Sequence, residues 1–528
     1  MSNHAYESAA ALRPSSNGPI PISTLCERFS LAPASAEDAA ALNDLSILGV
    51  SVDSADTAPG ELFVGLPGFT VHGARFAADA VASGAVAVLT DADGAQIVHQ
   101  TAPGTPVLVH SDPRAVVGPL SAEVYHHPAR GLVTTAVTGT NGKTTTAYFL
   151  DAILSAHVGG CMVAGTVELR VGERSVESPR TTVEAPVLQR MMALAVEDKV
   201  GAASLEASSH AIVLHRLDGI VVDVAGFTNL QRDHLDFHKT MEGYLEAKAQ
   251  LFTPEHARRG VVCVDDQWGA TLAAEAPIEI DRVRAYPGDT PADWWVSDAA
   301  VSLTDSATTF TLHGPDGEKI EASCPLPGLV NVQNAALALV MAIRAGVPAA
   351  TAATALAGAH NIPGRMQRIS QRDGRRGLCI VDFAHTPDAM ELALKAVRPI
   401  TPGRLIVVFG SDGDRDQGKR PMLGEVCARL ADVLVVTDEN PRSEDPQLIR
   451  NAILEGVRGV RPDLTDVEEI TTWRGDAVRR GVELCGPDDT VIVTGKGHEP
   501  FLEMAGEFIR YNDAPVMAEA VEEKWGRA

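Results

Sequence analysis

The sequence predicts an α/β protein built from three α/β domains. Apolar, strand-like runs alternate along the whole chain with Ala/Leu-rich helical stretches, which is the pattern of parallel α/β layers. The chain has 528 residues, more than one compact core can organise, and no short-period solenoid repeat. We expect domains at residues 1–130, 131–363 and 364–528.

Composition and charge narrow the class of protein. Hydrophobic residues make up 45% and charged residues 21% of the chain, as in ordinary globular proteins. The formal net charge of -25 disfavours nucleic acid and anionic membranes as partners, so an anionic substrate would have to be captured by local donors. The seven cysteines lack the short paired spacings of disulfide frameworks or zinc sites, which fits a reducing compartment.

The ends and apolar runs give a prediction about compartment. Residues 1–17 contain no basic stretch followed by an apolar core, so they do not form a secretory signal, and their polar composition predicts a mobile tail. No apolar run approaches the ~20 residues that a membrane-spanning helix requires. We therefore expect a cytoplasmic protein without membrane insertion.

The first domain shows a strand, helix, strand order. Residues 61–64 and 85–89 are apolar and strand-like, and residues 74–83 between them are helical in composition. This order predicts a small α/β unit.

The third domain gives the clearest architectural argument. Four apolar strand-like runs each end in a polar, charged or Gly-rich loop; the runs are residues 378–381, 405–409, 433–436 and 491–493. Ligands of open α/β sheets bind beyond the carboxyl ends of the strands. Ordinary solvated loops would explain any one of these loops, but four together predict a common site.

A phosphate-binding loop opens the central domain. Residues 138–145 read TGTNGKTT, follow the strand-like run 132–137 and precede a helical run at 147–154. Glycines let backbone N–H groups face phosphate oxygens, Lys143 places a charge near the β and γ phosphates, and Thr144 can ligate magnesium. Val137 stands where the usual eight-residue motif has glycine, so the shorter GTNGKT remains. The strand-loop-helix context favours ATP binding over a functionless glycine turn.

The sequence TGTNGKTTT resembles the ATP loop of the Mur ligase family, which also contains the folylpolyglutamate synthetases. The resemblance extends from the Val-Asp-Ser turn at residues 52–54 to the run GKGHE at residues 495–499. It implies three α/β domains, with a central P-loop ATP-binding domain and a C-terminal Rossmann-like domain. The implied ATP contacts are Gly139, Thr140, Asn141, Gly142, Lys143, Thr144, Thr145, Asn334, Arg365 and Asp382.

Two further runs resemble catalytic motifs of that family. Residues 206–210, EASSH, resemble its EVSSH, and residues 229–238, NLQRDHLDFH, resemble its NLxxDHLD signature. The resemblance implies that Glu206 and Thr144 hold magnesium and that His234 assists a second metal ion. It also implies that Lys248 is carbamylated and ligates metal, so that Lys143, Glu206, His234 and Lys248 are catalytic.

The residues alone give plainer interpretations of two of these side chains. Lys248 lies in the helical stretch 244–252 and is a surface lysine on sequence grounds. His234 by itself would be a satisfied interior histidine, and only its neighbours in the motif favour a metal role.

The resemblance also implies the substrate contacts. Those for a UDP-muramyl-dipeptide are Val52, Ser54, Phe69, Thr70, Val71, Thr181, Thr182, Ser208 and Arg216. Those for the incoming amino acid are Arg415, Glu439, Asn440, Pro441, Arg442, Gly495 and Glu499.

Residues 439–442, ENPR, resemble the DNPR motif of members that add meso-diaminopimelate, with Glu439 in place of the aspartate. Lysine-adding members lack the arginine. A guanidinium binds a second carboxylate bidentately and would be left unpaired by lysine, which produces discrimination.

The implied activity is ATP- and Mg²⁺-dependent addition of meso-diaminopimelate to UDP-N-acetylmuramoyl-L-alanyl-D-glutamate through an acyl phosphate, in peptidoglycan precursor synthesis, by a monomer. Three alternatives stay open. A folylpolyglutamate synthetase would not need the uridine-binding first domain or residues 440–442. A P-loop motor or switch would lack the carboxyl-end loops of the third domain. A non-enzymatic muropeptide-binding relative would not need Lys143, Glu206, His234 and Lys248.

Overall fold

The computed structural model describes residues 9–302, 307–359 and 361–526. The described residues of 1–294 and 337–355 form one compact unit, and those of 295–336 and 356–528 form another. Both units contain parallel strands connected by helices, as described below.

The amino-terminal part of the first unit is a five-stranded sheet. Its order is β2-β7-β6-β5-β4, with β4 to β7 parallel and β2 antiparallel at one edge. Its strands are β2 (Ala32–Pro33), β4 (Gly49–Ser51), β5 (Glu61–Val64), β6 (Ala87–Thr90) and β7 (Val107–Val109). Two further short strands, β1 (Ile20–Pro21) and β3 (Ser46–Ile47), pair with each other as a separate antiparallel ribbon. The helices are α1 (Ile22–Phe29), α2 (Ala36–Leu42), α3 (Ala77–Ala82), α4 (Ala92–Thr101) and α5 (Pro113–Val124).

The strand, helix, strand order predicted for this domain is confirmed. Side chains alternate across β5, so Leu62 and Val64 enter the hydrophobic cluster on one face of the sheet and Phe63 enters the cluster on the other. The predicted helix is shorter than expected, because Gly73–Phe76 forms a 3-10 turn before α3 begins.

The segment before β1 does not behave as the sequence suggests. Residues 1–8 lie outside the described part, but residues 9–17 are docked, and the mobile-tail prediction is wrong for them. Leu12 is completely buried, and Arg13 forms an ion pair with Asp56 at 3.2 Å. These partners are distant in sequence, so local polarity could not reveal them.

A second, larger sheet continues the first unit. Its strands lie in the order β11-β10-β9-β12-β8-β13-β14-β15, parallel from β9 to β15, with β10 and β11 as an antiparallel hairpin at one end. The strands are β8 (Val133–Thr138), β9 (Cys161–Ala164), β10 (Glu168–Val171), β11 (Arg174–Glu177), β12 (Ala202–Glu206), β13 (Val222–Phe227), β14 (Ala257–Cys263) and β15 (Glu279–Arg284). The helices are α6 (Lys143–Val158), α7 (Ala185–Glu197), α8 (Ser209–Val213), α9 (Leu235–His238), α10 (Met241–Ala249) and α11 (Gln267–Glu275).

The second unit contains an antiparallel meander and a six-stranded sheet. The six-stranded order is β19-β20-β24-β21-β22-β23, all parallel except the edge strand β19. The strands are β16 (Trp294–Val301), β17 (Thr308–His313), β18 (Lys319–Cys324), β19 (Gln367–Ser370), β20 (Leu378–Val381), β21 (Leu405–Phe409), β22 (Val433–Val436), β23 (Val467–Glu469), β24 (Thr490–Val493), β25 (Phe501–Met504) and β26 (Glu507–Arg510). Helix α12 (Leu329–Arg344) begins in the second unit and ends in the first, and α13 (Ala349–Ala357) begins in the first and ends in the second. The helices that lie wholly in the second unit are α14 (Pro387–Val397), α15 (Lys419–Leu430), α16 (Pro446–Val460), α17 (Arg474–Leu484) and α18 (Asp513–Trp525).

The four strand-loop predictions of the third domain are confirmed. Strands β20, β24, β21 and β22 are neighbours, so their carboxyl ends, and the loops that follow them, lie at one edge. Every residue of these strands is buried, as expected for a parallel sheet covered on both faces. The mixed α/β class with several parallel sheets is therefore the observed fold.

The described part of the chain contains eighteen α-helices and all the cysteines. Every helix there is too short or too polar to cross a lipid bilayer. All seven cysteines lie in that part and are free thiols, six of them buried.

Candidate active site

The phosphate loop lies between β8 and α6 in the middle of the larger sheet. Gly139 and Gly142 have φ angles of 141° and 92°, which residues other than glycine rarely adopt. A Cβ on Gly139 would also fall 1.9 Å from Oγ1 of Thr228. The glycines are therefore required by the turn itself, independently of any bound phosphate.

The loop after β13 holds the phosphate loop in shape. Asn229 accepts from the backbone N–H of Thr140 at 2.9 Å through its carbonyl oxygen and from that of Asn141 at 3.0 Å through Oδ1. Nδ2 of Asn141 donates to Oε1 of Gln231 at 2.6 Å. Asn229 and Gln231, which belong to the NLQRDHLDFH run, therefore hold the phosphate loop in place, a role that the motif alone does not indicate.

Lys143 is the first residue of α6, and its side chain folds back over the loop. Its Nζ donates to the carbonyl oxygens of Gly139 at 3.1 Å and Thr140 at 2.9 Å. The ammonium group is thus held at the mouth of a glycine-rich turn at a helix N-terminus, where anions bind favourably.

Glu206 ends β12 and is almost completely buried. Its Oε2 accepts from the hydroxyls of Thr144 at 3.0 Å and Thr166 at 2.9 Å, and its Oε1 accepts from the Thr166 N–H at 2.8 Å. A carboxylate next to a threonine hydroxyl at the end of a phosphate loop is a set of hard oxygen donors suited to magnesium. Thr166, which sequence reasoning missed, orients that carboxylate.

Lys248 is not the surface lysine that its helix suggested. Only 1% of it is exposed, and its Nζ donates to the Gly139 carbonyl at 2.9 Å and lies 4.4 Å from the ring centroid of Tyr244. Burial, and then the charge of Lys143, lower the pKa of Lys248 well below its usual value. The surface prediction is wrong because the tertiary fold brings α10 against the phosphate loop.

His234 lies beside this cluster on a strained backbone. Its φ is 53°, and its ring meets the ring of His210 edge-on at a centroid distance of 4.8 Å. Its Nε2 is 3.5 Å from Oδ2 of Asp233, and 48% of its side chain is exposed, so it is not an interior histidine. Among the described residues no group of three or more His, Cys, Asp and Glu side chains could hold a metal ion. The metal role of His234 stays a prediction.

The residues expected to meet the muramyl peptide are connected to one another and to Glu206 by hydrogen bonds. Thr182 Oγ1 donates to the Glu206 carbonyl at 2.7 Å and lies 3.2 Å from Ser208 Oγ. Arg216 Nη1 donates to the Thr182 carbonyl at 3.0 Å. Thr166 Oγ1 forms a hydrogen bond with Thr181 Oγ1 at 3.2 Å, and this bond connects Thr181 to the same group of residues. The structure therefore brings together all four residues of this group.

The residues expected to meet the uridine end lie on turns of the amino-terminal sheet. Ser54 begins a 3-10 turn that is capped by Asp53, and Val52 directly precedes that cap. Phe69, Thr70 and Val71 are exposed, Phe69 to 88%. An aromatic ring so exposed on a turn is available for stacking on a base.

Three predicted ATP contacts lie in the second unit. Asp382 follows β20, where it accepts from the backbone N–H of Met366 at 2.7 Å and of Ala384 at 2.9 Å, and its burial raises its pKa. The Arg365 guanidinium lies 4.4 Å from the Phe383 ring centroid. Asn334 is buried in α12.

The predicted amino-acid site occupies the carboxyl edge of the six-stranded sheet. The Gly413 N–H donates to the Asn440 carbonyl at 2.8 Å, which joins the loops after β21 and β22. A Cβ on Gly495 would fall 2.5 Å from Oε2 of Glu439, so the loop after β24 packs closely against the Glu439 carboxyl group. Asn440 Nδ2 donates to Glu499 Oε2 at 3.0 Å.

Arg442 lies at the rim of this site, after Pro441. It adopts a left-handed φ of 54°, and its backbone N–H donates to the Glu503 carbonyl at 3.0 Å. Its guanidinium lies 3.8 Å from an oxygen of Asp412 and 3.6 Å from one of Glu503. Arg415 is exposed on the loop after β21. Asp412 was not singled out by the sequence.

A buried arginine connects the loops that follow β22 and β24. Arg474 Nη1 donates to the Asp438 carbonyl at 2.9 Å and its Nη2 to the Thr494 carbonyl at 2.8 Å. Its Nε donates to Asp513 Oδ1 at 2.9 Å, and both side chains of this pair are fully buried. Isolated arginine and aspartate residues 39 positions apart give no sequence signal of this pair.

The pKa of Glu439 predicts a pH dependence of stability. Burial first, and then the charge of Asp412, raise it from 4.5 to about 8, against the opposing charges of Arg474 and Lys419. The folded protein therefore holds this proton more tightly than the unfolded chain, and the stabilisation falls by up to about 1.4 kcal/mol per pH unit as pH rises from 4.5 to about 8. In Glu439→Gln we expect a shallower decline of the free energy of unfolding across this window, measured by urea denaturation at each pH. Identical pH profiles for both proteins would contradict the assignment.

Comparison with known proteins places this geometry in a family. Models of the Mur ligase family match three stretches: the Mur ligase family catalytic domain at residues 46–125, the Mur ligase middle domain at 137–342, and the glutamate ligase domain at 364–497. The middle match contains the phosphate loop, and the last contains the strands β20 to β24.

Individual relatives cover nearly the whole chain. A Streptomyces avermitilis protein named UDP-N-acetylmuramoyl-L-alanyl-D-glutamate--2,6-diaminopimelate ligase is 43% identical over 483 residues, 92% of this chain and 94% of that protein. A UDP-N-acetylmuramyl-tripeptide synthetase of Leifsonia xyli is 42% identical over 508 residues, 95% of this chain and 96% of that protein. A solved structure titled UDP-N-acetylmuramoyl-L-alanyl-D-glutamate--2,6-diaminopimelate ligase has 31% identity and a TM-score of 0.63, and the match covers 91% of this chain and 95% of that one.

The chain belongs to the Mur ligase family of ATP-dependent ligases.

Proposed function

We propose that this protein uses ATP to join meso-diaminopimelate to UDP-N-acetylmuramoyl-L-alanyl-D-glutamate in peptidoglycan precursor synthesis. The observation that carries the proposal is the phosphate loop with Lys143 at its mouth and the Thr144 hydroxyl 3.0 Å from the Glu206 carboxylate. The names of the relatives support the substrates, and they favour this activity over that of a folylpolyglutamate synthetase. We propose that it acts in the cytoplasm as a monomer.

The chemistry follows from the charges that meet at the loop. The substrate carboxylate attacks the γ-phosphate of ATP, and the bond between the γ-phosphorus and the bridging oxygen breaks, so ADP leaves and an acyl phosphate forms. The amine of the amino acid then attacks the acyl carbon, inorganic phosphate leaves, and the amine nitrogen loses a proton as the amide forms. Lys143 stabilises the negative charge on the transferred group, and Arg365 is proposed to do the same. Asn334 and Asp382 are proposed to contact the nucleotide, together with the backbone of residues 139–145.

Magnesium fits the donors present near the loop. Thr144 and Glu206 supply hard oxygen atoms 3.0 Å apart, and we propose that they hold the ion, with His234 and Lys248 contributing to a second one. The ion supplies charge neutralisation between phosphate oxygens when bound. Lys248 would serve as its carbamate, which turns a cation into a carboxylate-like ligand.

The remaining contacts are proposed from the family resemblance and the placement of each residue. We propose domains at residues 1–130, 131–363 and 364–528, with the nucleotide end of the UDP substrate on the first. Its contacts are Val52, Ser54, Phe69, Thr70 and Val71, and those of its peptide are Thr181, Thr182, Ser208 and Arg216. The amino acid is bound by Arg415, Glu439, Asn440, Pro441, Arg442, Gly495 and Glu499.

An ATP-dependent ligation assay tests the proposal and the role of Arg442 together. Purified protein is given ATP, Mg²⁺ and UDP-muramyl-dipeptide with either diaminopimelate or lysine, and the product is quantified by chromatography. We expect diaminopimelate to be used, and Arg442→Ala to lower its kcat/KM by about 100-fold because a charge-assisted bidentate contact is lost.

Arg458→Ala, which removes an exposed arginine from α16, is the matched control and should leave kcat/KM unchanged. Exclusive use of lysine by the wild-type protein would overturn the role of Arg442. Absence of any ATP-dependent product would overturn the proposed function.

A further inference from the structure

Lys496 is a buried ammonium group beside the proposed amino-acid site, and the function described above gives it no role. It follows β24, and its side chain is 0% exposed. Its Nζ donates to Oδ1 of Asn440 at 2.9 Å, to Oε2 of Glu499 at 3.1 Å and to the backbone carbonyl of Phe501. A lysine ammonium has three N–H donors, so these three acceptors use all of them.

The hydrogen bond from Lys496 determines how the Asn440 amide is oriented. Its Oδ1 accepts from Lys496 and also from the Glu503 backbone N–H at 3.2 Å. Its Nδ2 therefore points the other way, where it donates to Glu499 at 3.0 Å. An amide has one acceptor end and one donor end, and Lys496 decides which end faces which neighbour. The hydrogen-bonding capacity that Asn440 retains for a ligand is a second N–H.

The hydrogen bond from Lys496 also occupies one oxygen of the Glu499 carboxylate. Oε2 accepts from both Lys496 and Asn440, so Oε1 is the oxygen left to accept from a ligand. The side chain of Glu499 is 36% exposed, so the carboxylate is accessible although its lysine partner is not. A donor on Asn440 suits a substrate carboxylate, and an acceptor on Glu499 suits a substrate ammonium group.

We propose that Lys496 is a positioning residue for amino-acid binding, which sets the donor and acceptor ends that Asn440 and Glu499 present to the incoming diamino acid. It does not touch the substrate itself. This inference rests on the proposed function, because it assigns Asn440 and Glu499 to the amino-acid site. Loss of the ammonium would leave two polar side chains without the partner that orients them.

The experiment compares Lys496→Met with Lys524→Met. Lys524 in α18 also donates to three acceptors, the carbonyl oxygens of Val482, Glu483 and Cys485. These carbonyls lie at the end of α17, away from the carboxyl edge of the sheet, so Lys524→Met loses the same number of hydrogen bonds elsewhere in the same unit. For each protein, apparent KM for diaminopimelate, ATP and UDP-muramyl-dipeptide, kcat and the thermal midpoint are measured.

We expect Lys496→Met to raise KM for diaminopimelate by about 10-fold to 100-fold, the scale of losing a hydrogen bond to a charged group. KM for ATP and for the UDP substrate should stay within about 3-fold, and Lys524→Met should lower the thermal midpoint without changing any KM. If Lys496→Met does not fold, Lys496→Gln, which keeps a neutral donor, should give a smaller rise of the same selective kind.

Equal KM values for diaminopimelate in the Lys496 and Lys524 variants would overturn the positioning role while leaving the ligase intact. A rise of the same size in all three KM values would do so too, because it would indicate a general structural effect. No ligation by the wild-type protein would instead overturn the proposed function, and the inference with it.

Discussion

Replacing Lys143 by alanine is expected to reduce kcat for ligation by about 1,000-fold or more. The ammonium group lies at the mouth of the phosphate loop, where it donates to the carbonyls of Gly139 and Thr140. During phosphoryl transfer, negative charge develops on the transferred oxygens, and a single preorganised donor at such a position contributes about 100-fold to 1,000-fold. Lys143 carries a full charge as well, so its loss belongs at the upper end. Product formation at saturating substrates is the measurement.

Lys199→Ala is the control for this variant, because Lys199 is an exposed lysine of the same unit, just beyond α7. It should retain wild-type kcat. Both variants should show the wild-type thermal midpoint to within a few degrees. Ligase activity near the wild-type level in Lys143→Ala would contradict the catalytic role of the loop.

Replacing Lys248 by alanine is expected to lower kcat by about 100-fold or more, with partial recovery on addition of acetate or formate. The side chain is buried against the phosphate loop, and its lowered pKa favours the neutral amine, the form that reacts with carbon dioxide. If the working group is a carbamate, the vacated space should accept a small carboxylate that replaces it. Activity is measured against the concentration of added anion.

The comparison of added ions distinguishes two explanations. Recovery by carboxylates but not by small alkylammonium ions supports a carbamate at Lys248. Recovery by alkylammonium ions alone would show that the amine itself is the working group. Full activity of Lys248→Ala without any addition would remove Lys248 from the catalytic set.

Local patterns in the sequence were sufficient for the strands and the loops that carry the site. Strands β20, β21, β22 and β24 are short apolar runs, and each was predicted within one residue of its observed bounds. The phosphate loop was predictable because its glycines, its lysine and its place between a strand and a helix are all local features. Parallel topology then brings the carboxyl-end loops to one edge, as expected from the general rule for such sheets.

What could not be predicted are the partners of buried polar groups. Lys248 donates to a carbonyl 109 positions earlier in the chain, so its helix alone suggested a surface residue. Arg474 and Lys496 are buried beneath the loops of the proposed amino-acid site, and their partners come from separate loops. Burial of a charged residue depends on such distant partners, which hydrophobic periodicity does not report.

The central claim is that residues 139–145 bind the triphosphate of ATP. A crystal structure of the protein with Mg²⁺ and a non-hydrolysable ATP analogue tests it most directly. We expect the β and γ phosphates to accept from the backbone N–H groups of the loop and from Nζ of Lys143, released from the Gly139 and Thr140 carbonyls. A nucleotide bound elsewhere, with the loop unchanged and Lys143 still on those carbonyls, would contradict the account.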